Sequence, residues 1–175
     1  DNDQNIISET VYNQAGQVVS SRDAFGTESS FVYDSAGRRL QVIQASNTDL
    51  ATASYTCFDK AGRVLRSIAN YKDTGASPDV WDMDGNWAFQ ADNHGMYRDS
   101  NIISEMVYDR ASRRVMSMNA VGDVSQTTYF KDGQVDSMTD PEGMVTVYRY
   151  DALRRRKMVV QSYVANGDDP ENWVW

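Results

Sequence analysis

One six-residue pattern recurs along this chain and restricts its fold more than any other feature. It reads aromatic, Asp, two variable residues, Gly, then Arg or another polar residue. The clearest copies are Tyr33-Asp34-Ser35-Ala36-Gly37-Arg38 and Phe58-Asp59-Lys60-Ala61-Gly62-Arg63. Tyr12 leads to Gly16 with Asn13 in the Asp slot, and Tyr108-Asp109 leads to Ser112-Arg113 with Ser in the Gly slot. Tyr129 leads to Gly133-Gln134 with Phe130 in the Asp slot, and Tyr150-Asp151 leads to Arg154-Arg155. Trp81-Asp82-Met83-Asp84-Gly85-Asn86 is a degenerate seventh copy. The anchors are therefore spaced by 21, 25, 23, 27, 21 and 21 residues. Between anchors comes a second turn signal, Asp/Asn-x-x-Gly, at Asp23, Asp92, Asn119 and Asp140.

A longer period is superimposed on the short one. Asn5-Ile6-Ile7-Ser8-Glu9-Thr10-Val11-Tyr12 returns as Asn101-Ile102-Ile103-Ser104-Glu105-Met106-Val107-Tyr108, 96 residues on. Tyr71, Gly75, Pro78 and Trp81 return as Tyr163, Gly167, Pro170 and Trp173, 92 residues on. The expected organisation is a first long unit over 1–96 and a second, incomplete one over 97–175, whose fourth anchor is Trp173. The chain reads as a window on a longer periodic polypeptide.

Between turn signals lie short segments rich in Val, Ile, Thr, Tyr and Met, with partial alternation, as in Ser29-Ser30-Phe31-Val32-Tyr33. That is the pattern of strands joined by regular turns. Each short repeat then supplies strand, turn, strand, turn, and the string gives an antiparallel meander. Asp after the anchor suits an Asx-turn. Gly supplies the positive φ that closes a hairpin. Arg after Gly can reach a neighbouring Asp or stack on an aromatic ring. Copies with Ser112 or Arg154 in the Gly slot must change turn type or accept strain.

Composition removes several function classes. The chain has 175 residues with 41% hydrophobic content, enough for folded structure. Its net charge of -8 argues against general nucleic-acid binding. There is no long apolar run that would insert as a spanning helix. One Cys excludes an internal disulfide framework and one His excludes a multi-histidine metal site.

The Tyr-Asp-x-x-Gly-Arg pattern, with Asp140-Pro141-Glu142-Gly143 seven residues before Tyr150-Asp151, resembles the YD repeats of the Rhs and teneurin family. The resemblance covers nearly the whole chain. It implies an all-β fold: antiparallel hairpin repeats stacked into a spiral sheet that forms a shell or tube. It also implies a secreted or cell-surface setting. In bacterial toxin members of the family the shell encloses a C-terminal toxin, released by self-cleavage at an Asp-Pro motif beyond the repeats. Asp140-Pro141 sits inside an ordinary repeat and is assigned no cleavage.

Few residues invite a chemical role. Cys57 takes the slot before its anchor that Val11, Val32 and Val107 fill elsewhere, so it reads as a small buried hydrophobe. His94 falls in a turn and makes no convincing partner for it. Asp82-Met83-Asp84-Gly85-Asn86 fails as a calcium loop, because Trp87 stands where Gly is needed and Asn93 where Glu is needed. A looser surface site would use Asp82, Asp84 and Asp92. Arg154-Arg155-Arg156-Lys157 reads as ladder pairing with acidic neighbours. Trp81, Trp87, Trp173 and Trp175 are candidate contact residues, for a neighbouring unit or for sugar.

The expectation is thus a structural protein with no catalytic residue, no cofactor and no metal. It would form an extracellular filament, tube or shell. Its motif residues would be Tyr12, Gly16, Tyr33, Asp34, Gly37, Arg38, Phe58, Asp59, Gly62, Arg63, Trp81, Asp82, Gly85, Tyr108, Asp109, Tyr129, Gly133, Tyr150 and Asp151. Its partners would be adjacent copies of itself, with polysaccharide as a further candidate, and neither nucleic acid nor membrane. The rival readings are the shell of a toxin-delivering protein and a glycan-binding adhesin.

Overall fold

Strand-forming residues alternate with five-residue turns, except between Gln44 and Thr52 and between Ala69 and Ile102. The computed structural model describes residues 7–72 and 100–163. Among them are twelve strands and no helix: β1 (Glu9–Tyr12), β2 (Val18–Arg22), β3 (Glu28–Tyr33), β4 (Arg39–Gln44), β5 (Thr52–Phe58), β6 (Val64–Ala69), β7 (Ile102–Tyr108), β8 (Arg114–Met118), β9 (Val124–Tyr129), β10 (Val135–Thr139), β11 (Val145–Tyr150) and β12 (Arg156–Val160). The chain divides into two compact units, Asp1–Ile103 and Ser104–Trp175.

In the first unit, β1 to β6 pair antiparallel in chain order. In the second, β7 to β12 repeat that meander. This is the architecture that the period-two patterning and the regular turn signals require. Every described anchor is the last residue of an odd-numbered strand. Each faces the residue six positions on, as Tyr12 faces Val18 and Phe58 faces Val64. The register shifts beside the turn in all six anchor hairpins, between Val32 and Tyr33 for example, or between Val135 and Ser137. Such a bulge lets a five-residue loop close without splaying the strands.

The two turn signals of the sequence build the same turn. At Asp34, the N–H bonds Arg38 O at 2.9 Å, and the Gly37 N–H bonds Asp34 O at 3.0 Å. The carboxylate Oδ1 of Asp34 accepts the N–H groups of Ala36 and Arg38. Asp23, on the opposite edge of the sheet, closes its turn by the same four bonds, with the N–H groups of Phe25 and Thr27 on its Oδ1. What separates the two edges is the aromatic before the turn and the Arg or Gln after it.

Ser112 and Arg154 resolve the question left by their missing glycines. Both keep the standard turn and take a left-handed backbone, at φ 64° and 63°. Gly62 has φ 83° at the equivalent position. A side chain in that region is strained by about 1–2 kcal/mol.

Little of the sheet is deeply buried. In the first unit Ile68 and Ile103 form the core cluster, with Tyr55 and Tyr71 packed against it. Cys57 is 1% exposed and faces Arg66, itself 2% exposed, across β5 and β6. In the second unit Val147 is the buried apolar residue.

The long period also has a structural signature, just after β6 and just after β12. Asn70 and Ser162 both have positive φ, and the Tyr that follows each turns back onto the opposing strand. The Tyr71 N–H bonds Ala53 O at 2.7 Å, and the Tyr163 N–H bonds Val145 O at 2.8 Å. In the first unit the end of β6 is tied to the start of β7. The Asn101 N–H bonds Asn70 O at 2.9 Å, and Asn101 Oδ1 accepts the Lys72 N–H at 2.8 Å. Trp81, Asp82, Asp84, Gly85, Trp87, Asp92, His94, Trp173 and Trp175 lie outside the described residues.

Candidate functional site

The residues that sequence reading singles out converge on one edge of each unit, where they form a clamp from hairpin to hairpin. Asp34 begins it. Its Oδ1 holds the turn, which leaves Oδ2 to accept Arg38 Nε at 2.6 Å. The guanidinium is now fixed, and its other end reaches the next hairpin. Arg38 Nη1 donates to Asp59 O at 2.8 Å, while Cζ lies 4.8 Å from the centroid of the Phe58 ring. One side chain therefore touches its own turn, the next turn's backbone and the next anchor. Only Arg offers donors in that forked arrangement together with a flat cationic face.

The second unit repeats the geometry. Arg113 Nε donates to Asp109 Oδ2 at 2.7 Å, Nη1 reaches Phe130 O at 3.2 Å, and Cζ lies 4.5 Å from the Tyr129 centroid. Arg63 and Arg155 hold Asp59 and Asp151 in the same way, at 2.6 and 2.7 Å. The ion pair is thus made inside the Arg's own turn, and the neighbouring hairpin is gripped through its carbonyl and its ring. Of the two contacts expected for this Arg, the stacking on an aromatic ring is the one made to the neighbouring hairpin, and the Asp partner lies in its own turn.

Two clamp members carry no charge. Asn13 and Gln17 replace the Asp–Arg pair, with Asn13 Nδ2 donating to Gln17 Oε1 at 2.9 Å and Gln17 Nε2 reaching Gly37 O at 3.0 Å. Gln134 Nε2 reaches Arg154 O at 2.9 Å. The sequence reading missed these glutamines, although both stand in the Arg slot of their repeats. It also missed the anchor hydroxyls. Tyr33 donates back to Val18 O at 2.8 Å and Tyr129 to Arg114 O at 2.9 Å, so each hydroxyl bonds the hairpin before it. Tyr150 meets Phe130 edge-on at 6.3 Å.

The carboxylates of the clamp are held in their charged form. Asp59, Asp109 and Asp151 lie below the ordinary carboxyl range, chiefly because backbone N–H groups of Arg63, Arg113 and Arg155 donate to them, with the guanidinium bonds adding to this. At Asp34 burial pushes upward, but the backbone and side-chain bonds of Arg38 outweigh it and the net shift is again downward.

Nothing reactive gathers at this edge. Among the described residues no cluster of His, Cys, Asp and Glu could hold a metal ion, and no helix is long and apolar enough to cross a membrane. Asp140-Pro141 forms an ordinary turn, with the Gly143 N–H on Asp140 O and the Met144 N–H on Asp140 Oδ1.

Residues 12–49, which contain the first clamp members, match the family model of the RHS repeat. Over those residues the match agrees with the YD-repeat resemblance seen in the sequence. No curated protein matches it. Among solved structures, a crystal structure of TcdB2-TccC3-Cdc42 aligns at 13% identity and a TM-score of 0.35, covering 88% of this chain and 10% of that one. A Photorhabdus luminescens Tc holotoxin pore containing TccC3 aligns at 12% identity and a TM-score of 0.35, with the same coverage. The chain thus spans about a tenth of the length of the chains it matches.

Proposed function

We propose that this YD-repeat chain is a wall segment of an Rhs-type shell, a scaffold without catalytic activity that belongs to a secreted, toxin-carrying protein. The observation that carries the structural role is the clamp. Beyond its own turn, each of Arg38 and Arg113 bonds a carbonyl of the next hairpin and stacks on that hairpin's aromatic anchor. A sheet built this way extends in one dimension by repetition, and each repeat stabilises its neighbours. The RHS-repeat match over residues 12–49 supports this reading, because the resemblance implies a hollow spiral sheet, which in bacterial toxin members of the family encloses a toxin.

Electron microscopy of the full-length gene product tests this reading. Closed particles with internal density support it. Open helical filaments with a regular rise sink the shell and restore the filament reading.

A further inference from the structure

Methionine divides the two units. Met106, Met116, Met118, Met138, Met144 and Met158 all lie in the second, whereas residues 7–72 contain none. At the repeat offsets of 96 and 92 residues, Met138 stands where the first unit has Val42, and Tyr148 where it has Thr56. The strand registers agree with that alignment. Met138 faces Thr127 and Thr146 as Val42 faces Phe31 and Ser54.

Four of the six methionines are half-buried, among them Met106, whose Sδ accepts Tyr108 Oη at 3.6 Å. Met138 and Met144 are 45% and 53% exposed. Both have a hydroxyl on the sulfur, but at different range. Tyr148 Oη donates to Met138 Sδ at 3.4 Å, whereas Ser162 Oγ lies 3.8 Å from Met144 Sδ. Tyr148 sits two residues beyond Thr146, so it shares a sheet face with Met138 and meets it on the diagonal. The guanidinium of Arg156 lies over its ring, with Cζ 6.0 Å from the centroid.

A thioether is a weak acceptor, and a hydroxyl hydrogen turns readily to a better one. Oxidation creates that better acceptor. The Sδ lone pair attacks one oxygen of hydrogen peroxide, so an S–O bond forms and the O–O bond breaks. The departing hydroxide takes the proton left on the transferred oxygen and becomes water. Sulfur loses two electrons, peroxide gains them, and methionine sulfoxide results. Negative charge grows on oxygen during the transfer, within reach of a donor already in place. A bond that is stronger to the transferring oxygen than to the thioether lowers the barrier. The polar product stays at the exposed surface of the sheet and displaces no core packing.

We infer that Met138 is a reversible oxidation site for peroxides, with the Tyr148 hydroxyl as its positioning group. The repeat does not require this pair, since Val42 and Thr56 build the same strands in the first unit.

Peptide mass mapping through a time course in hydrogen peroxide tests this. Met138 should oxidise about threefold faster than Met144, although Met144 is the more exposed. In Tyr148→Phe, which loses only the hydroxyl, the rate at Met138 should fall about fivefold, the worth of one neutral hydrogen bond. The rate at Met144 should not change, and circular dichroism checks that the variant folds. Methionine sulfoxide reductases should return the Met138 peptide to its original mass. Equal rates at Met138 and Met144 in the parent would overturn the proposal, because exposure alone would then set the order. That comparison needs no variant and decides the matter even if Tyr148→Phe does not fold. An unchanged Met138 rate in a folded Tyr148→Phe would also overturn it. So would a Met138 sulfoxide that the reductases leave in place.

Discussion

Arg38 rests on Phe58, with Cζ 4.8 Å from the ring centroid, while its Nη1 holds the carbonyl of Asp59 at 2.8 Å. Those two contacts join residues 20 and 21 positions apart in the chain, and they explain why the repeat needs both an aromatic and an Arg. A ring alone would leave the hairpins free to slip. A cation alone would be solvated. Together they fix the height of one turn against the next.

Replacing Arg38 by Ala should therefore destabilise the first unit by about 1–2 kcal/mol, the sum of one hydrogen bond and one cation–π contact, reduced for partial exposure. Arg38→Lys should recover only part of this, because the ammonium cannot bond both turns at once. A double-mutant cycle in urea with Phe58→Leu should show a coupling of about 0.5–1 kcal/mol.

Ser112→Gly should stabilise the protein, as should Arg154→Gly. Each relieves a left-handed backbone at φ 64° or 63°. The expected gain is about 0.5–1 kcal/mol per site, after allowing for the greater freedom of Gly in the unfolded chain. A rise in urea midpoint with unchanged m-value would register it.

Acid should loosen the clamp. Asp34, Asp59, Asp109 and Asp151 have lowered pKa values in the folded chain. Their contribution is fully present above the unfolded carboxyl value of about 3.9 and is lost as pH falls through the folded values below it. Stability should thus be flat from neutral pH to about 5 and then drop. The double variant Asp34→Asn with Arg38→Gln copies the neutral Asn13–Gln17 pair, and urea melts from pH 7 to 2 should show a shallower fall for it.

Asn101 ties the residues after β6 to the start of β7. It is 3% exposed, and its Oδ1 accepts the Lys72 N–H. Asn101→Ala leaves that N–H without its acceptor and places Ala at φ 53°, so a loss of about 1–3 kcal/mol is expected. Hydrogen exchange should quicken at Lys72 and Asn101, while the amides of Gly16 and Gly37, at the opposite edge, stay protected.

Much of this was readable in the sequence because it is local. The spacing of Tyr12, Tyr33 and Phe58 set the hairpin length, and Asp34 with Gly37 specified a turn whose bonds span only five residues. Repetition multiplied that signal until strand order followed from chain order. Gln17 and Gln134 were harder to see, since an amide in an Arg slot looks like decay of the pattern until its donor is found on the neighbouring turn. The identity of the two turn signals was hidden for the opposite reason. Asp23 and Asp34 sit in different sequence surroundings yet make the same bonds.

By itself, then, the sequence determined the all-β meander, the position of each described anchor at a strand end, and the turn chemistry of Asp, Asn and Gly. These follow from period-two patterning and from φ and hydrogen-bond preferences within a few residues. Tertiary structure alone decided where Arg38 and Arg113 point, that Tyr33 and Tyr129 bond backward, and that Asn101 closes onto Asn70. Those pairings link residues 15 to 31 positions apart. They depend on strand register and sheet twist, which place two turns side by side at a fixed height, and no local preference encodes that distance.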